Sequence, residues 1–385
     1  MAVVQALIED DTGFELDSSV HGNQDLSQVL DQAVSSYEQG VDEPCVFVNK
    51  VTNMRVVVFV DDILSRGSRE NTTAFYTAIQ SKYPMRSWDI LSPENPLRHL
   101  GFEVTEEVRE GQTYRYLSQQ ADVREAMERF EINVHSDMSC PMPNKWQLGK
   151  DTTLLTDELK SLYKSMLGVF SWWSISLRWD IAHSVSRLQS MVQDPTVSSL
   201  NEAYRLAAYV HSTASFRLGG KVVAGQKNRL EFYSDSDYAG DPVLGTRSHS
   251  GCMILLNGIV IHWRSKKQPK TVLSPAAAEI YAASEAVREL NWISFIAVDL
   301  AVGVGGERIV QVDNKQVLSF KYSTCPRSRL KGMISNRWEW VQEMRSEGVD
   351  MIYVKSSENK ADILTKCLAR KEFMRQKEQI TKSGI

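Results

Sequence analysis

The chain has 385 residues, 42% of them hydrophobic, and a formal net charge of −4. This length can bury two or three domain cores, and the slightly acidic balance is unusual for a nucleic-acid binder, although it hides local basic clusters. The five cysteines lack paired spacing, and the sequence predicts neither a signal peptide nor an apolar run of membrane-spanning length. These features argue against a disulfide framework, a zinc site and a membrane partner, and they predict an intracellular protein, cytoplasmic or nuclear and not secreted.

Changes in composition and hydrophobic pattern along the sequence predict six segments. In chain order they are a polar, acidic N-terminal segment (1–44), alternating strands with one helix (45–110), a mainly helical region (111–217), a Gly-rich linker or loose hairpin (218–229), alternating strands and helices (230–370) and a charged tail (371–385). Before the linker, helices are predicted at 26–37, 72–82, 122–130, 157–174 and 200–214. The expected fold class is α/β.

In the second segment, an apolar run that begins at Val56 breaks at Asp61 and Asp62 and resumes at Ile63. The acidic pair is most simply the turn of a β-hairpin, although two-residue hairpin turns usually contain Gly or Asn. The pattern therefore predicts two strands joined at these two acids.

Two further acids follow predicted strands in the C-terminal half. Asp235 stands near the end of the run LEFYSDSD, and Asp313 ends the short apolar run IVQV. On charge alone, Asp237 or Asp241 could equally be the functional acid of the first strand. A single Asp at a strand end is more often a turn former than a ligand.

Two more acids belong to predicted helices. Ser274 and Pro275 predict an N-cap and first position, and the alanine-rich helix that follows to about residue 300 carries Glu279 in its second turn. Asp362 is predicted near the N-terminus of a helix after a strand and a polar turn, where backbone N–H groups favour negative charge. Each acid alone has an ordinary structural explanation, but strand, helix, strand and helix can point four carboxylates into one cleft.

Basic residues stand on both sides of these acids. The first cluster precedes the alanine-rich helix and the second follows Asp313; their members are Arg264, Lys266, Lys267 and Lys270, then Arg327, Arg329, Lys331 and Arg337. Such runs are usually solvated loops, but beside an acidic site they are better interpreted as clamps for a nucleic-acid backbone. Tyr238, Trp263 and Trp292 could add stacking, although aromatics at these spacings are more often core.

Residues 230–370 resemble the ribonuclease H domain of copia-type LTR retrotransposon Pol polyproteins, through the ordered blocks YSDSDYAGD, TRSHSG, WRSKKQ, the alanine-rich helix, VDNKQ and ADILTK. The resemblance implies a mixed sheet with flanking helices. It also implies two Mg²⁺ ions, with Mn²⁺ as a substitute, that promote hydrolysis of the RNA strand of an RNA–DNA hybrid. The implied catalytic and metal-binding acids are Asp235, Glu279, Asp313 and Asp362.

Within this resemblance, Asp235 is preferred over Asp237 because it holds the strand-terminal place in the motif. One block departs from the family. Where the family usually has Lys-His-Ile-Asp, this chain has Lys331, Gly332, Met333 and Ile334, which puts a substrate contact or local support there in doubt.

The preceding segments resemble the C-terminal part of a reverse transcriptase of the same family, through VVVFVDDIL, LRHLGFEV, YLSQQADVREAMERF, LYKSMLGVFSW and RWDIAHSVSRLQSM. The resemblance implies a partial palm (α+β) at 45–110, with Asp61 and Asp62 as metal ligands, and a helical thumb or connection region at 111–217. It leaves open that 1–44 is a remnant of the palm. Trp179 stands where the family usually has Pro. Because no apolar strand that runs into an acid precedes Asp61, we expect no polymerase activity.

Three functions remain open on the sequence. The first is a hybrid ribonuclease, with an RNA–DNA hybrid and other products of the polyprotein as partners. The second is a decayed transposon fragment without activity, and the third is a nucleic-acid-binding module without chemistry.

Overall fold

The computed structural model describes residues 14–18, 36–59, 62–83, 88–132, 138–143, 153–222, 228–240, 247–304, 308–319 and 335–382. Its first sheet is antiparallel and has the strand order β2-β3-β4-β5-β1-β6. The strands are β1 (Phe14–Ser18), β2 (Glu38–Gln39), β3 (Val46–Asn49), β4 (Met54–Phe59), β5 (Asp62–Arg66) and β6 (Asp89–Ile90). Helix α1 (Arg69–Gln80) packs on this sheet, and its side chains Phe75, Tyr76 and Ile79 are buried there. The helix predicted at 72–82 is confirmed, whereas most of the one predicted at 26–37 lies outside the described residues.

The hairpin predicted around the acidic pair is present. Strands β4 and β5 are antiparallel neighbours, with Phe59 opposite Asp62. Asp62 is half-buried at the start of β5, and Asp61 lies outside the described residues. Metal binding by Asp61 and Asp62 stays a prediction. The expectation that no strand leading to an acid precedes Asp61 is corrected, because β1, which includes Asp17, pairs with β5 and places Ser18 opposite Asp62.

A second antiparallel sheet has the order β10-β9-β8-β7, with β7 (Leu97–His99), β8 (Phe102–Arg109), β9 (Gln112–Ser118) and β10 (Arg217–Lys221). Between β9 and β10 the chain forms α2 (Gln120–Arg129), α3 (Asp157–Ser176), α4 (Ala182–Gln189) and α5 (Val197–Ser212). Three of these helices were predicted and are confirmed, whereas the sequence pattern did not reveal α4.

The start of the predicted linker or loose hairpin is a strand, β10, which pairs with β9. Gly219, in β10, has φ +147°, and a Cβ atom there would lie 2.0 Å from the carbonyl oxygen of Arg115 in β9. The glycine therefore permits a close approach of two backbones, so a composition typical of a loop serves strand pairing. The predicted boundary at 110–111 likewise falls in the turn between β8 and β9. The division into domains stays a prediction.

The third sheet is mixed and has the order β13-β12-β11-β14-β15. Its strands are β11 (Leu230–Asp237), β12 (His249–Leu256), β13 (Ile259–Lys267), β14 (Arg308–Val312) and β15 (Val349–Tyr353). Strands β11, β12 and β13 are antiparallel, whereas β14 pairs parallel to both β11 and β15. The mixed sheet with flanking helices predicted for this part of the chain is confirmed.

Helices cover the third sheet. On one face lies α6 (Pro275–Asp299), with the short α7 (Lys315–Ser319) and α8 (Ser335–Ser346) beside it. Trp263 of β13 belongs to a second apolar cluster, separate from the one beneath α6. It donates from Nε1 to the carbonyl oxygen of Ser174 in α3 at 2.6 Å. The C-terminal helix α9 (Arg370–Lys382) joins the same apolar cluster through Phe373 and Ile380. Among the described residues, no helix is long and apolar enough to cross a membrane.

A buried polar network ties the helical region to α9. Asp180 accepts hydrogen bonds from Arg178 Nε at 2.8 Å, Tyr209 Oη at 2.6 Å and Lys377 Nζ at 2.8 Å. Burial by itself would raise the pKa of Asp180, but the charges of Arg178 and Lys377 outweigh burial and hold it well below its ordinary value. The carboxylate is therefore charged, buried and fully paired.

The first sheet is fixed to the far end of α6. The carboxylate of Asp299 accepts the three consecutive backbone N–H groups of residues 41–43 at 2.7 to 3.0 Å. Arg55 of β4 donates to the carbonyl oxygens of Leu300 at 2.5 Å and Ala301 at 3.2 Å. These contacts satisfy carbonyl groups at the helix C-terminus and set the position of the helix that carries Glu279.

Candidate metal centre

Two acidic side chains meet because the strands that carry them are parallel neighbours. Ser234 of β11 lies opposite Val312 of β14, so the next residues, Asp235 and Asp313, lie at the same edge of the sheet. Asp235 is 1% exposed and Asp313 is half-buried. The strands predicted to carry these two acids are confirmed.

Glu279 reaches the same point from α6, whose start is fixed by the predicted cap. Ser274 Oγ accepts the backbone N–H of Ala277 at 3.2 Å, and Pro275 is the first helical residue. Glu279 is thereby buried on the sheet-facing side of the helix. Ligand atoms of three predicted acids all lie within 4.8 Å of one another, namely those of Asp235, Glu279 and Asp313.

The fourth acid, Asp362, does not stand at the start of an α-helix, so that prediction is wrong. It begins a 3₁₀ turn, Asp362–Leu364, and α9 starts only at Arg370. The physical reason is Asn359, whose Oδ1 accepts the N–H of Ala361 at 3.1 Å. Its Nδ2 donates to the carbonyl oxygen of Ser234 at 3.0 Å. These side-chain bonds tie the segment to β11 and compete with helical bonding.

The segment 361–365 lies directly against β12, beside Asp235. Gly251 is opposite Asp235 in the strand pairing, and a Cβ atom on it would come within 2.7 Å of Thr365 Cγ2 and 2.9 Å of Leu364 Cβ. The Thr365 hydroxyl donates a hydrogen bond to the Asp235 carboxylate. The glycine therefore allows the contact that orients this acid.

Lys366 also belongs to the site, and the sequence analysis missed it. Its Nζ lies 2.6 Å from Asp362 Oδ1 and 3.3 Å from Asp235 Oδ2. Burial would lower the pKa of Lys366, but the charges of Asp235 and Asp362 outweigh burial and raise the pKa above its ordinary value. The sequence could have indicated this pair, because Asp362 and Lys366 in ADILTK are four residues apart and this spacing brings two side chains together on a helical turn.

The acids repel one another in a buried setting. Burial is the main cause that raises the pKa of Asp235 to about 7 and the pKa of Glu279 to about 9. The charge of Asp313 raises both pKa values further, and the charge of Lys366 lowers both. Without a cation, the site therefore disfavours the fully charged form.

This donor set fits a hard divalent cation. Carboxylate oxygens are the ligands that Mg²⁺ and Mn²⁺ prefer, and three of them converge here. Glu279 Oε2 is buried and has no hydrogen-bond partner among the residues that the structure describes. A bound cation would satisfy this acceptor and offset the repulsion.

The alternative acids of the first strand are placed differently. Asp237 is half-buried at the end of β11 and is not a member of the three-acid group. Asp241 lies outside the described residues. The geometry therefore favours Asp235, as the motif position predicted.

The first predicted basic cluster lies beside the acids. Three of its members line a cleft of about 200 Å³ together with arginines of α6 and α8; these five are Arg264, Lys266, Lys267, Arg288 and Arg337. Lys270 is exposed just beyond β13. Of the second cluster, Arg337 is described, whereas Arg327, Arg329 and Lys331 lie outside the described residues.

Two glutamates of α6 hold the arginines of the cleft in place. Glu285 is 2.8 Å from Arg288 and 2.6 Å from Arg337, and Glu289 is 3.0 Å from Arg288 and also bonded to Arg264. Three arginines thus share two acids, and Lys266 and Lys267 add further positive charge to the cleft. Sequence analysis missed Arg288, because an arginine on a helix carries no signal of its own.

The three aromatic candidates differ in exposure. Trp263 is a buried core residue, as its spacing suggested, whereas Tyr238 is 38% exposed and Trp292 is 44% exposed. Trp292 packs edge-on against His262 with ring centroids 5.4 Å apart. Stacking on a base stays a prediction for Tyr238 and Trp292 alone.

Replacing Glu279 by glutamine is expected to stabilise the metal-free protein. Because folding raises the pKa of Glu279, the protein loses stability as the pH rises from 4.5, its ordinary value, to about 9. Glutamine avoids this loss, so we expect a gain on the order of 5 kcal/mol at pH 8 and none at pH 4. Urea denaturation in EDTA at both pH values measures it, and a variant less stable than wild type at pH 8 would contradict the expectation.

Comparison with known proteins gives relatives along most of the chain. The retrovirus-related Pol polyprotein from transposon TNT 1-94 of Nicotiana tabacum is 26% identical over 348 residues, 88% of this chain and 25% of that protein. The Transposon Ty1-NL2 Gag-Pol polyprotein of Saccharomyces cerevisiae is 24% identical over 347 residues, 86% of this chain and 19% of that protein. The chain thus spans a quarter or less of the length of these relatives.

A shorter relative is similar to one part of the chain. Secreted RxLR effector protein 161 of Plasmopara viticola is 35% identical over 132 residues, which is 91% of that protein and 34% of this chain. Its description as a secreted effector applies to that protein. No protein-family model matches the chain.

Solved structures show only distant similarity. LC11-RNase H1 in complex with an RNA/DNA hybrid is 18% identical with a TM-score of 0.28, covering 35% of this chain and 93% of that one. A Prototype Foamy Virus Protease-Reverse Transcriptase mutant is 13% identical with a TM-score of 0.23, covering 96% of this chain and 46% of that one. Scores this low carry no argument about the site.

The fold and the site define an α/β protein whose C-terminal mixed sheet carries a cluster of carboxylates at its edge. The chain is a homologue of the retrovirus-related Pol polyproteins of copia- and Ty1-type transposons, which confirms the family predicted from its motifs.

Proposed function

We propose that residues 230–370 form a ribonuclease that cleaves the RNA strand of an RNA–DNA hybrid. The observation that carries this proposal is the convergence of Asp235, Glu279 and Asp313, whose ligand atoms lie within 4.8 Å of one another. The relatives support it, because they are Pol polyproteins that match 86 to 88% of this chain.

The three acids would hold Mg²⁺, or Mn²⁺ as a substitute, and Asp362 lies beside them at Lys366. Two such ions, when bound, would activate a water molecule and neutralise charge on the phosphate and the leaving oxygen. The chain itself supplies orientation. Thr365 fixes one oxygen of Asp235, and the capped start of α6 fixes Glu279.

We propose that the positive cleft binds the phosphate backbone of the hybrid. Its wall residues Ser250 and Gly251 lie opposite Ser236 and Asp235 in the strand pairing, so the cleft adjoins the acids. Arginine guanidinium groups suit phosphate oxygens, and the two glutamates hold them in defined orientations. Selection of RNA would depend on its 2′-hydroxyl groups.

Replacing Arg264 by glutamine is expected to weaken hybrid binding and its salt dependence. Loss of one phosphate contact lowers the slope of log affinity against log salt by about 0.9. Binding of a labelled hybrid to the inactive Asp313→Asn protein, with and without this change, measures the slope. Arg308→Gln is the matched control, because Arg308 starts β14 at the opposite end of the strand from Asp313. Equal slopes for the two arginine variants would contradict the assignment.

The proposed activity is tested with purified protein and a labelled hybrid. We expect Mg²⁺-dependent or Mn²⁺-dependent cleavage of the RNA strand that leaves 5′-phosphate ends and stops with EDTA. Single-stranded RNA of the same sequence should stay intact. Equal cutting of both substrates, or cutting that persists in EDTA, would contradict the proposal.

The upstream part of the chain has a related proposed role. We propose that residues 45–110 are the C-terminal part of a reverse transcriptase palm and that 111–217 are a thumb or connection region. The β4–β5 hairpin, with Asp62 at the start of β5, supports the assignment of 45–110 to a palm. The hybrid would pass across these segments towards the carboxylates, and other products of a polyprotein are the expected partners.

A further inference from the structure

Lys366 lies between two of the predicted metal ligands. Its ammonium is 2.6 Å from Asp362 Oδ1 and 3.3 and 3.4 Å from the two carboxylate oxygens of Asp235. Asp362 is not a member of the three-acid group among the described residues, and Lys366 is its close ionic partner. The four acids are therefore divided into a group of three and an acid paired with a lysine.

The Lys366 ammonium fills the space between Asp235 and Asp362. A divalent ion that bound both carboxylates would need the same space. An ion that bridged Asp235 and Asp362 would have to approach their oxygens to about 2.1 Å for Mg²⁺. The ammonium already donates to those oxygens, and a divalent ion beside it would meet a like charge at close range. The ammonium and a bridging ion cannot both occupy this position.

The backbone around the lysine is held more firmly than its side chain. Asn359 donates to Ser234, and the carbonyl oxygen of Leu364 accepts a hydrogen bond from Ser265 Oγ at 2.6 Å. The Lys366 side chain, by contrast, is 33% exposed and has solvent on one side. Displacement of the ammonium would therefore require only rotation of the Lys366 side chain, and the two carboxylates would stay in place.

We propose that Lys366 is a resident counter-cation that occupies the second-ion position between Asp235 and Asp362 and that a second divalent ion must displace it. This role rests on the proposed metal-dependent function. It makes the two ion positions unequal, with a first ion at the three-acid group and a weaker second one. It also makes Lys366 a positioning residue, because it keeps Asp362 oriented until that ion arrives.

Calorimetric titration with Mn²⁺ tests the proposal. We expect wild type to bind a first ion and then a weaker second one, and Lys366→Met to bind the second at least tenfold more tightly with the first unchanged. Lys366→Arg keeps the charge and should show no such gain. The matched control is Lys360→Met, because Lys360 is on the same segment but is paired with Glu231 at 3.4 Å.

The outcomes separate the two proposals. Absence of any Mn²⁺ binding by wild type would contradict the proposed function. Normal first-ion binding with an unchanged second ion in Lys366→Met would overturn the role of Lys366 alone.

A second measurement on wild type needs no variant to fold. Acetylation of Lys366 by acetic anhydride, followed by peptide mass spectrometry, should become several-fold faster when Mn²⁺ is added, whereas Lys360 should not change. Equal acetylation of Lys366 with and without Mn²⁺, under conditions where the first ion is bound, would overturn the displacement.

Discussion

Replacing Asp313 by asparagine is expected to lower cleavage of an RNA–DNA hybrid by on the order of 10³-fold or more. The substitution removes one of three converging carboxylates and keeps nearly the same shape. Because Asp313 also repels Asp235 and Glu279, the metal-free variant should fold at least as well as wild type. Single-turnover cleavage in Mg²⁺, with circular dichroism and urea denaturation in EDTA, measures both effects.

Asp237→Asn is the matched control for this substitution. Asp237 is also an aspartate at the end of β11, but it is outside the three-acid group. We expect a change of less than about tenfold in cleavage, which is below the roughly 10- to 100-fold cost of losing a residue that directly supports a metal ligand. Similar losses in the two variants would mean that the ligand of this strand has been assigned wrongly.

Replacing Asp180 by alanine is expected to destabilise the fold by about 3–5 kcal/mol at neutral pH. The change leaves Arg178 and Lys377 as buried charges without their shared partner and removes the acceptor of the Tyr209 hydroxyl. Because folding lowers the pKa of Asp180, its stabilising effect is present above the ordinary pKa of 3.8 and is lost as the pH falls below it. Urea denaturation at pH 7 measures the cost.

Asp194→Ala provides the comparison, since Asp194 is exposed on the loop before α5. Its effect should stay within about 0.5 kcal/mol. If Asp180→Ala were equally mild, the buried network would not be what joins α9 to the helical region.

Local patterns predicted much of the fold. The Ser274 and Pro275 cap, the strand that ends near Asp235 and the apolar run before Asp313 each depend on residues close in sequence, and each is present. The β10 strand was missed for the opposite reason. Its pairing with β9 joins segments that are about 100 residues apart, and its glycines resemble those of a loop.

In the site, too, features that depend on neighbouring residues were predicted, whereas features that depend on contacts between distant segments were not. The motif order identified the acids, and parallel pairing of β11 with β14 explains why two of them meet. The pairing of Asp362 with Lys366 was not predicted, because it depends on a 3₁₀ turn set by Asn359 and by a contact across Gly251. A helix prediction assigns Asp362 to a helix N-terminus and leaves the lysine without a role.

The convergence of three carboxylates on one cation is tested most directly by anomalous diffraction from crystals soaked in Mn²⁺. We predict an anomalous peak about 2–2.5 Å from carboxylate oxygens of Asp235, Glu279 and Asp313, absent from crystals of Asp313→Asn. A soaked wild-type crystal with no peak at these three residues, or with manganese bound only elsewhere on the chain, would contradict the assignment of this site.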